Sequence, residues 1–479
     1  MKSKFLALPL LALTLSGCAW LAPNYKRPTL GVPVQWNGAD KGAGDNRQKL
    51  QGWWKEYHDP VLEKLIGEAL ANNADMALAG ARLKQAKAQY DFSSSNRLPM
   101  LSETGIATRT GLKVKSNPLL PSKPFNISFV GGLLSYELDL WGKQASANKA
   151  AKASFLSAIY AQDASRLSIA SATAQLYFNI LALDADIKIT KDTIASRKES
   201  YQIIKKQYNH EVVSGLVLRQ SEAEWDETRA QLPQLIEQKD KAESSLAVML
   251  GYSPKEIMEA SIPRGTDFDA LPIPPLFPTD APSSLLERRP DIASTEQTLI
   301  ASNFNIGMAR AAYFPTISLW SLLGVSNFDI INVYNGSART WQLGALMAGP
   351  LIDFGRTKSG VDLAKAKNQE GLESYKSTVR TAFKEVKDAL SEQVNSNVAE
   401  KALDDEEKAL KEALRLANLR YTSGYSSYIE VLDAERNLFR SQLAVIASKL
   451  NRLNASVNLY KALGGGWERN HKLQASQIP

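Results

Sequence analysis

The sequence has very little of the residue types that build covalent or metal-based sites. Its 479 residues include one cysteine, Cys18, and three histidines, His58, His210 and His471, which stand in unrelated contexts. A single cysteine excludes intramolecular disulfides and cysteine-based metal clusters. No metal-ligand spacing, nucleophile elbow or phosphate loop occurs, and the glycines at 464–466 indicate the end of a helix. The sequence therefore predicts a protein that is not an enzyme, with no metal and no cofactor.

Long hydrophobic runs and a dominant charge are also missing. After the first 17 residues no stretch of 18 or more apolar residues occurs, which excludes a membrane-spanning helix there. The 57 basic and 50 acidic residues give a net charge of +7, and they are interleaved along the chain as on solvated helix faces. This pattern predicts no nucleic-acid partner.

The beginning of the chain has the pattern of an export signal. Lys2 and Lys4 precede an apolar stretch at 5–15, which is followed by Leu-Ser-Gly-Cys at 15–18. This resembles a bacterial lipoprotein signal, so we expect cleavage after residue 17 and a lipid on Cys18. The alternative is an ordinary signal peptide whose cysteine is incidental.

The residues from 351 to 463 predict a long helical hairpin. No proline occurs between Pro350 and Pro479, and strong helix formers fill the interior. The break comes at Gly424, which can adopt the left-handed conformation of a turn. The two arms would reach roughly 100 and 50 Å at ~1.5 Å per residue. A seam with spacings of four and three predicts packing against partner helices; it consists of Phe439, Leu443, Ile446, Leu450, Leu453, Val457 and Tyr460.

The same pattern occurs earlier in the chain at a constant displacement. Trp-Gly-Lys at 141–143 matches Phe-Gly-Arg at 354–356, and Leu-Gly at 250–251 matches Leu-Gly at 463–464, each 213 residues apart. Such a register indicates a tandem duplication. The predicted order is a signal peptide at 1–17, an extended leader at 18–58, a first repeat at 59–251, a Pro-rich linker at 252–283, a second repeat at 284–464 and a tail at 465–479.

Each repeat also contains two runs of alternating apolar and polar residues, at about 100–141 and about 316–354. Alternation alone favours a soluble sheet with one wet face, although tilted runs of about 10 to 16 residues are long enough to span a membrane. In the second run of the first repeat, the apolar residues occupy one set of alternate positions up to Leu133 and the opposite set from Leu134 onward. This change predicts a bulge or bend in the strand.

Several motifs, in order along the mature chain, resemble the lipidated branch of the TolC-like outer membrane factors. They are Asn-Tyr-Lys-Arg-Pro at 24–28, Trp-Trp at 53–54 with Asp-Pro at 59–60, Glu-Leu-Asp-Leu-Trp-Gly-Lys at 137–143, Leu-Glu-Arg-Arg-Pro-Asp at 286–291, Pro-Leu-Ile-Asp-Phe-Gly-Arg at 350–356 and Arg-Tyr-Thr-Ser-Gly at 420–424.

The resemblance implies an α+β membrane protein that forms a homotrimer. Each copy would give four strands to a shared outer-membrane β-barrel and its long helices to a periplasmic coiled-coil barrel. The implied function is the exit channel of a tripartite efflux pump in the outer membrane, with a periplasmic adaptor (membrane fusion) protein and an inner-membrane transporter, RND-type, as partners. The alternative is a lipid-anchored, non-conducting coiled-coil adaptor or structural protein.

The acids just past the second turn are the candidate site. Glu430 and Asp433 are three residues apart on one helical face, with Ile429 one turn before Asp433. The residues alone favour ordinary acids near a helix N-terminus. The resemblance implies instead that Ile429, Glu430 and Asp433 form the periplasmic gate.

The resemblance also implies that the adaptor docks on the helical turns, marked by Tyr208, Glu211, Tyr421 and Gly424. This sequence departs from the family pattern at two positions near the turns. Glu211 stands in the first repeat where Gly424 stands in the second, and Val217 stands where some members place an acid that locks the closed end.

Overall fold

The computed structural model describes residues 21–33, 52–111, 124–259, 261–274, 282–327, 338–465 and 467. The Pro, Asn, Gly and Ser residues at 116–123 and 330–338 predict exposed hairpin loops between the paired strands. The first of these loops and the second up to residue 337 lie outside the described part of the chain, as do the signal at 1–17, Cys18, residues 275–281 of the predicted linker and residues 468–479 of the predicted tail.

Within the described residues the chain forms nine α-helices and four β-strands. The helices are α1 (Pro60–Asn72), α2 (Ala74–Ser95), α3 (Lys143–Asn209), α4 (Gly215–Met249), α5 (Pro254–Glu259), α6 (Leu285–Arg288), α7 (Pro290–Ala311), α8 (Arg356–Thr422) and α9 (Tyr428–Ala462). The strands are β1 (Met100–Thr110), β2 (Phe125–Leu138), β3 (Thr316–Asn327) and β4 (Ala338–Ala348).

The long helices have the same lengths in both halves of the chain. α3 and α8 each contain 67 residues, and α4 and α9 each contain 35. Pro233 lies inside α4 without ending it. The predicted fold class, a mostly helical chain with four strands and an internal repeat, is confirmed.

The residues form two compact units. Of the described residues, the sheet unit comprises those within 21–29, 82–159 and 294–376, and the helical unit comprises those within 30–81, 160–293 and 377–467. The core of the helical unit includes fully buried Trp53, which stacks on Tyr460 with ring centroids 5.3 Å apart. Asp59 caps α1 by accepting hydrogen bonds from Val61 N at 2.8 Å and Leu62 N at 3.1 Å.

Five of the seven residues of the predicted seam of α9 are buried, and the other two, Leu443 and Leu450, are half-buried. Phe439, Ile446, Leu453, Val457 and Tyr460 are all at most 5% exposed. The spacing of the apolar residues therefore identified the face of this helix that packs.

The four strands form one antiparallel sheet in the order β1-β2-β3-β4. The two hairpins come from the two repeats, and the β2–β3 pairing joins them. β1 and β4 stand at the ends of the order, so within the described residues each is paired on one side only.

The predicted bulge in β2 is wrong. Leu133 and Leu134 pair with Ser102 and Leu101 on one side and with Leu322 and Ser321 on the other, and the register is continuous through both ladders. No extra residue is inserted at the change of parity. The backbone continues unchanged while the apolar residues pass from one face of the sheet to the other.

Two glycines face each other at the join between the repeats. Gly131 is the register partner of Gly324. A Cβ on Gly131 would collide with the Leu323 carbonyl oxygen and Gly324 Cα, and a Cβ on Gly324 would collide with the Val130 carbonyl oxygen and Gly131 Cα. The ring of Phe129, 6% exposed, reaches both sites. The close approach of β2 and β3 therefore depends on both positions lacking a side chain.

Among the helices of the described residues, none combines the length and the apolar character needed to cross a membrane.

Candidate functional site

Two similar turns join the long helices in the helical unit. In the first, Glu211 N donates to Tyr208 O at 2.9 Å and Val212 N donates to Gln207 O at 2.9 Å. In the second, Gly424 N donates to Tyr421 O at 3.0 Å and Tyr425 N donates to Arg420 O at 2.9 Å. Both are Schellman-type helix ends, so the repeat extends to the hydrogen bonds of the turns.

The two turns differ in how well the residue suits the backbone. Gly424 has φ +78°, and Glu211, at the matching position, has φ +58°. A left-handed backbone costs a residue with a Cβ roughly 1–2 kcal/mol, whereas glycine adopts it freely. The first turn therefore carries a local strain that the second avoids.

We expect Gly424→Ala to destabilise the second turn by about 1 kcal/mol. No atom lies within 4 Å of the added Cβ, so the cost comes from the backbone alone. Hydrogen exchange of the amides at 419–430 measures the effect. Glu211→Gly should change the first turn in the opposite direction or leave it unchanged, and equal destabilisation by both variants would contradict this account.

A small apolar cluster supports the turns. Its buried members are Ile204, Leu218, Ala417, Tyr428, Val431 and Leu432. The ring of Tyr421 lies 5.1 Å from that of Tyr428, and its hydroxyl donates to Gln207 Oε1 at 3.0 Å. Burial, with the nearby Glu435 charge, raises the pKa of Tyr428 to about 12. The two hairpins are thus packed together beside their turns.

The predicted gate residues lie at the start of α9, on its exposed side. Ile429 is 50% exposed. Arg420 Nε lies 3.5 Å from Glu430 Oε2, and Arg436 Nη1 lies 3.2 Å from Asp433 Oδ1. The two acids are therefore partly neutralised by arginines of their own chain, which the sequence did not indicate.

Of the predicted docking residues on the turns, Tyr421 contacts the other hairpin through Gln207, and Tyr208 is 43% exposed. Glu211 lies in the first turn, at the position that Gly424 occupies in the second.

A buried ionic cluster, which sequence reasoning missed, lies next to these turns. Arg197 of α3 and Glu224 of α4 are 4% and 6% exposed, and Arg197 Nη1 lies 3.1 Å from Glu224 Oε2. Arg197 Nη1 also donates to Thr228 Oγ1 at 2.5 Å, and its guanidinium lies 5.5 Å from the Phe439 ring centroid. Arg436 of α9 contacts Glu224 through Nη2 and, at 3.0 Å, through Nε. Glu224 is therefore shared by the two hairpins.

The repeat offset was the signal that could have found this cluster. Glu224 and Arg436 are 212 residues apart, and Gln207 and Tyr421 are 214 apart. Both separations are close to the 213-residue displacement of the repeat. Residues separated by the repeat length lie at similar levels of neighbouring hairpins, so opposite charges at that spacing are candidates for contact.

Glu435 is a second, partly buried acid beside Arg197. Burial raises the pKa of the Glu435 carboxyl, although the Arg197 charge opposes the shift. The folded chain therefore holds this proton more tightly than the unfolded chain does. As pH rises from the ordinary glutamate value, about 4.3, through the higher folded pKa, the carboxylate becomes charged and stability is lost.

We expect Glu435→Gln to stabilise the helical unit at pH 7.5, because the amide removes a buried carboxylate. Below about pH 4 both side chains are neutral and the difference should disappear. Thermal unfolding followed by circular dichroism between pH 4 and 8 measures it. Asp226→Asn, on the exposed face of α4, serves as control. A stability difference that does not change with pH would show that titration of Glu435 is not its source.

Among the described residues, no group of three or more His, Cys, Asp or Glu side chains is placed to hold a metal ion. What the geometry provides is a pair of packed turns with exposed apolar and acidic side chains, held together by one buried ionic cluster.

Comparison with known proteins gives one consistent result. The model of the outer membrane efflux protein family matches residues 65–252 and 281–465, one match for each repeat. The chain is 32% identical over 477 residues to the probable efflux pump outer membrane protein TtgC of Pseudomonas putida, covering 98% of this chain and 96% of that one. It is 32% identical over 459 residues to the cation efflux system protein CusC of Escherichia coli K12, covering 95% and 98%.

Solved structures agree. The Campylobacter jejuni CmeC outer membrane channel superposes with a TM-score of 0.88 at 28% identity, covering 96% of this chain and 97% of CmeC. The open state of the Neisseria gonorrhoeae MtrE outer membrane channel superposes with a TM-score of 0.82 at 28% identity, covering 94% and 99%.

Proposed function

This chain belongs to the outer membrane efflux protein family, and from that premise we propose that three copies form one conduit, the exit duct of a tripartite pump. The chain is an outer-membrane efflux channel, so the soluble-sheet interpretation of its alternating strands is wrong. The predicted function and outer-membrane location are confirmed. As a member of a transport family it works by conduction, and the proposal includes no catalytic step and no cofactor.

The observation that carries the proposal is the open four-stranded sheet. Its end strands β1 and β4 each have one partner within the described residues. In a bilayer, unpaired backbone groups cost several kcal/mol each, so a sheet there must close. Four strands are too few for a barrel, because even the smallest contain eight. Pairing of β1 of one copy with β4 of the next closes the barrel, and three copies supply twelve strands.

We place the partner surface on the two turns. Exposed apolar side chains cluster there, including Val212 at 69%, Leu216 at 67% and Tyr425 at 81% exposed. Such a patch is typical of a protein-binding surface. The periplasmic adaptor docks on it beside Tyr208, Glu211, Tyr421 and Gly424, and an RND-type inner-membrane transporter delivers the substrate.

We place the periplasmic gate at Ile429, Glu430 and Asp433. Threefold symmetry turns each of these exposed positions into a ring around the axis. The acids then attract cations, and Ile429 narrows the passage. The arginine partners Arg420 and Arg436 reduce the charge of each ring without removing it, since the acid side chains remain 48% and 66% exposed.

We assign the lipid to Cys18, which lies outside the described residues. Cys18→Ser should abolish incorporation of labelled fatty acid, while the barrel strands still hold the protein in the outer membrane. Labelling in cells followed by membrane fractionation measures both. Unchanged labelling would show that the signal at 15–18 is an ordinary one. The same proposal includes the domain boundaries. They are cleavage after residue 17, a leader at 18–58, repeats at 59–251 and 284–464, and a linker at 252–283.

The decisive experiment is single-channel recording in planar bilayers, with native mass spectrometry on the same preparation. The proposal expects a trimer that conducts. A folded protein that runs as a monomer would overturn the shared barrel. A trimer without conductance would favour the alternative, a lipid-anchored spacer or adaptor.

A further inference from the structure

The sheet unit contains a pocket of about 620 Å³ lined by both charged and apolar side chains. Five separate segments line it: the leader at 22–25, the residue Arg97 after α2, the end of β2 at 136–139, the first turns of α3 at 142–149, and Phe304 of α7. The gate and the partner surface proposed above belong to the helical unit, so the channel function does not use this pocket.

The acids of the pocket are already engaged by the fold. Asp139 accepts from Gln144 N at 2.9 Å through one oxygen and from Ala145 N at 2.7 Å through the other, which caps α3. Glu137 Oε1 lies 3.3 Å from Lys143 Nζ. Asp139 therefore satisfies backbone N–H groups at the start of α3, and Glu137 is paired with Lys143.

Two cations of the pocket remain available. Within the described residues neither Arg97 nor Lys149 forms an ion pair, and both are exposed. Lys149 Nζ lies 5.6 Å from the centroid of the Phe304 ring, which holds the ammonium at the pocket wall. The free charge of the pocket is therefore positive, and guanidinium with ammonium is a combination that suits phosphate.

The leader fixes the position of the pocket relative to the membrane anchor. Arg310 Nη1 donates to Leu21 O at 3.0 Å, and Asn303 Nδ2 donates to Pro23 O at 2.6 Å. Arg27 donates to both oxygens of Glu296, at 2.7 and 2.8 Å. Ala22 is four residues after Cys18, a distance of at most ~14 Å along an extended chain.

The pocket also lies at the end of the sheet to which the helices connect. Arg97 precedes β1 by three residues, and Tyr136 and Glu137 are among the last residues of β2, which ends at Leu138. Beside Arg97 the side chains are apolar and exposed, with Leu98 at 67% and Met100 at 62%. Cations next to exposed apolar residues at a barrel end are placed where headgroups meet acyl chains.

We propose that this pocket binds the phosphodiester headgroup of a phospholipid from the leaflet that holds the lipid anchor. Arg97 and Lys149 contact the phosphate, and Leu98 and Met100 contact the acyl chains. This inference rests on the outer-membrane location and on the lipid at Cys18. It gives the leader a second role, because residues 22–25 form one wall of the lipid site.

Native mass spectrometry of the full-length assembled channel tests the inference. The protein is stripped of lipid in mild detergent and titrated with dioleoylphosphatidylglycerol, with dioleoylglycerol as the lipid without phosphate. We expect saturable binding of the phospholipid and at least tenfold weaker binding of dioleoylglycerol. Arg97→Glu with Lys149→Glu should weaken phospholipid binding at least tenfold, and Arg97→Lys should retain most of it. Lys152→Glu, an exposed residue of α3 outside the pocket lining, is the matched control.

Each outcome decides the question. Equal binding of phospholipid to the wild type and the double variant would overturn the site, and so would equal binding of dioleoylglycerol. Inorganic phosphate at 10 mM should not displace the lipid; if it does so and itself occupies the site, the ligand is a free phosphate and the lipid assignment is wrong. Conductance of the same wild-type preparation separates the two proposals, because a conducting trimer without lipid binding overturns this inference alone. Arg97→Gln repeats the test if the double variant fails to assemble.

Discussion

Replacing Glu224 with alanine should destabilise the contact between the two helical hairpins by about 3–5 kcal/mol. The substitution leaves Arg197, 4% exposed, without its carboxylate, and a buried charge without a partner is costly. It also frees Arg436 from α4. Hydrogen exchange at 197–228 and 428–440 should accelerate at least about hundredfold, since local opening reports this free energy.

Two further variants identify the cause. Asp226→Ala removes an exposed ion pair with Arg229 on the same helix and should cost at most about 1 kcal/mol. Arg197→Met combined with Glu224→Leu removes both buried charges and should recover most of the loss, because apolar residues of similar volume often replace a buried pair without penalty. If Glu224→Ala exchanges like Asp226→Ala, the cluster does not hold the hairpins together.

The triple variant Ile429→Ala, Glu430→Ala and Asp433→Ala should open the proposed gate. Removing the apolar side chain widens the narrow passage, so single-channel conductance should rise. Removing two rings of acid leaves Arg420 and Arg436 without these partners, so cation preference should weaken. Block by multivalent cations from the periplasmic side should weaken by about tenfold, equivalent to about 1.4 kcal/mol.

The control for the gate is Asp404→Ala with Asp405→Ala, in α8 well before the turn. Asp405 is exposed and pairs with Lys408 at 3.1 Å, so its removal changes the charge of α8 and leaves the proposed gate residues unchanged. This variant should conduct, select and be blocked like the wild type. If the triple variant does the same, Glu430 and Asp433 are ordinary acids at a helix start and the constriction lies elsewhere.

The sequence predicted the parts of this fold that depend on local signals. Absence of proline, helix-forming composition and a turn glycine at 424 were sufficient for the α8–α9 hairpin, and the seam through Phe439 and Val457 identified its buried face. Glu211 was recognised as the counterpart of Gly424, and its positive φ agrees with that alignment. These signals involve residues within a few turns of one another, so one sequence contains them.

The errors and omissions involve residues far apart in the chain. The bulge predicted at Leu133 was wrong. The prediction assumed that the apolar residues of a strand stay on one face of the sheet, whereas in β2 they change from one face to the other along an unbroken strand. Arg197, Glu224 and Arg436 each look like a solvated helix charge until α3, α4 and α9 are brought together. The Arg97 pocket needs five segments at once, and no local pattern predicts it.

The Gly131–Gly324 pair has a consequence for the history of this protein. If an ancestor had one repeat, the second strand of one copy met the first strand of the next, and duplication made that meeting a contact within one chain. At that contact each glycine is crowded by the backbone of the other, so no change at one position can make room for a side chain at the other. Drift in the rest of the two halves has proceeded freely enough to put Glu211 opposite Gly424 in the alignment of repeats. We expect relatives to vary at the turns and to keep both of these glycines, as a trace of the joining event.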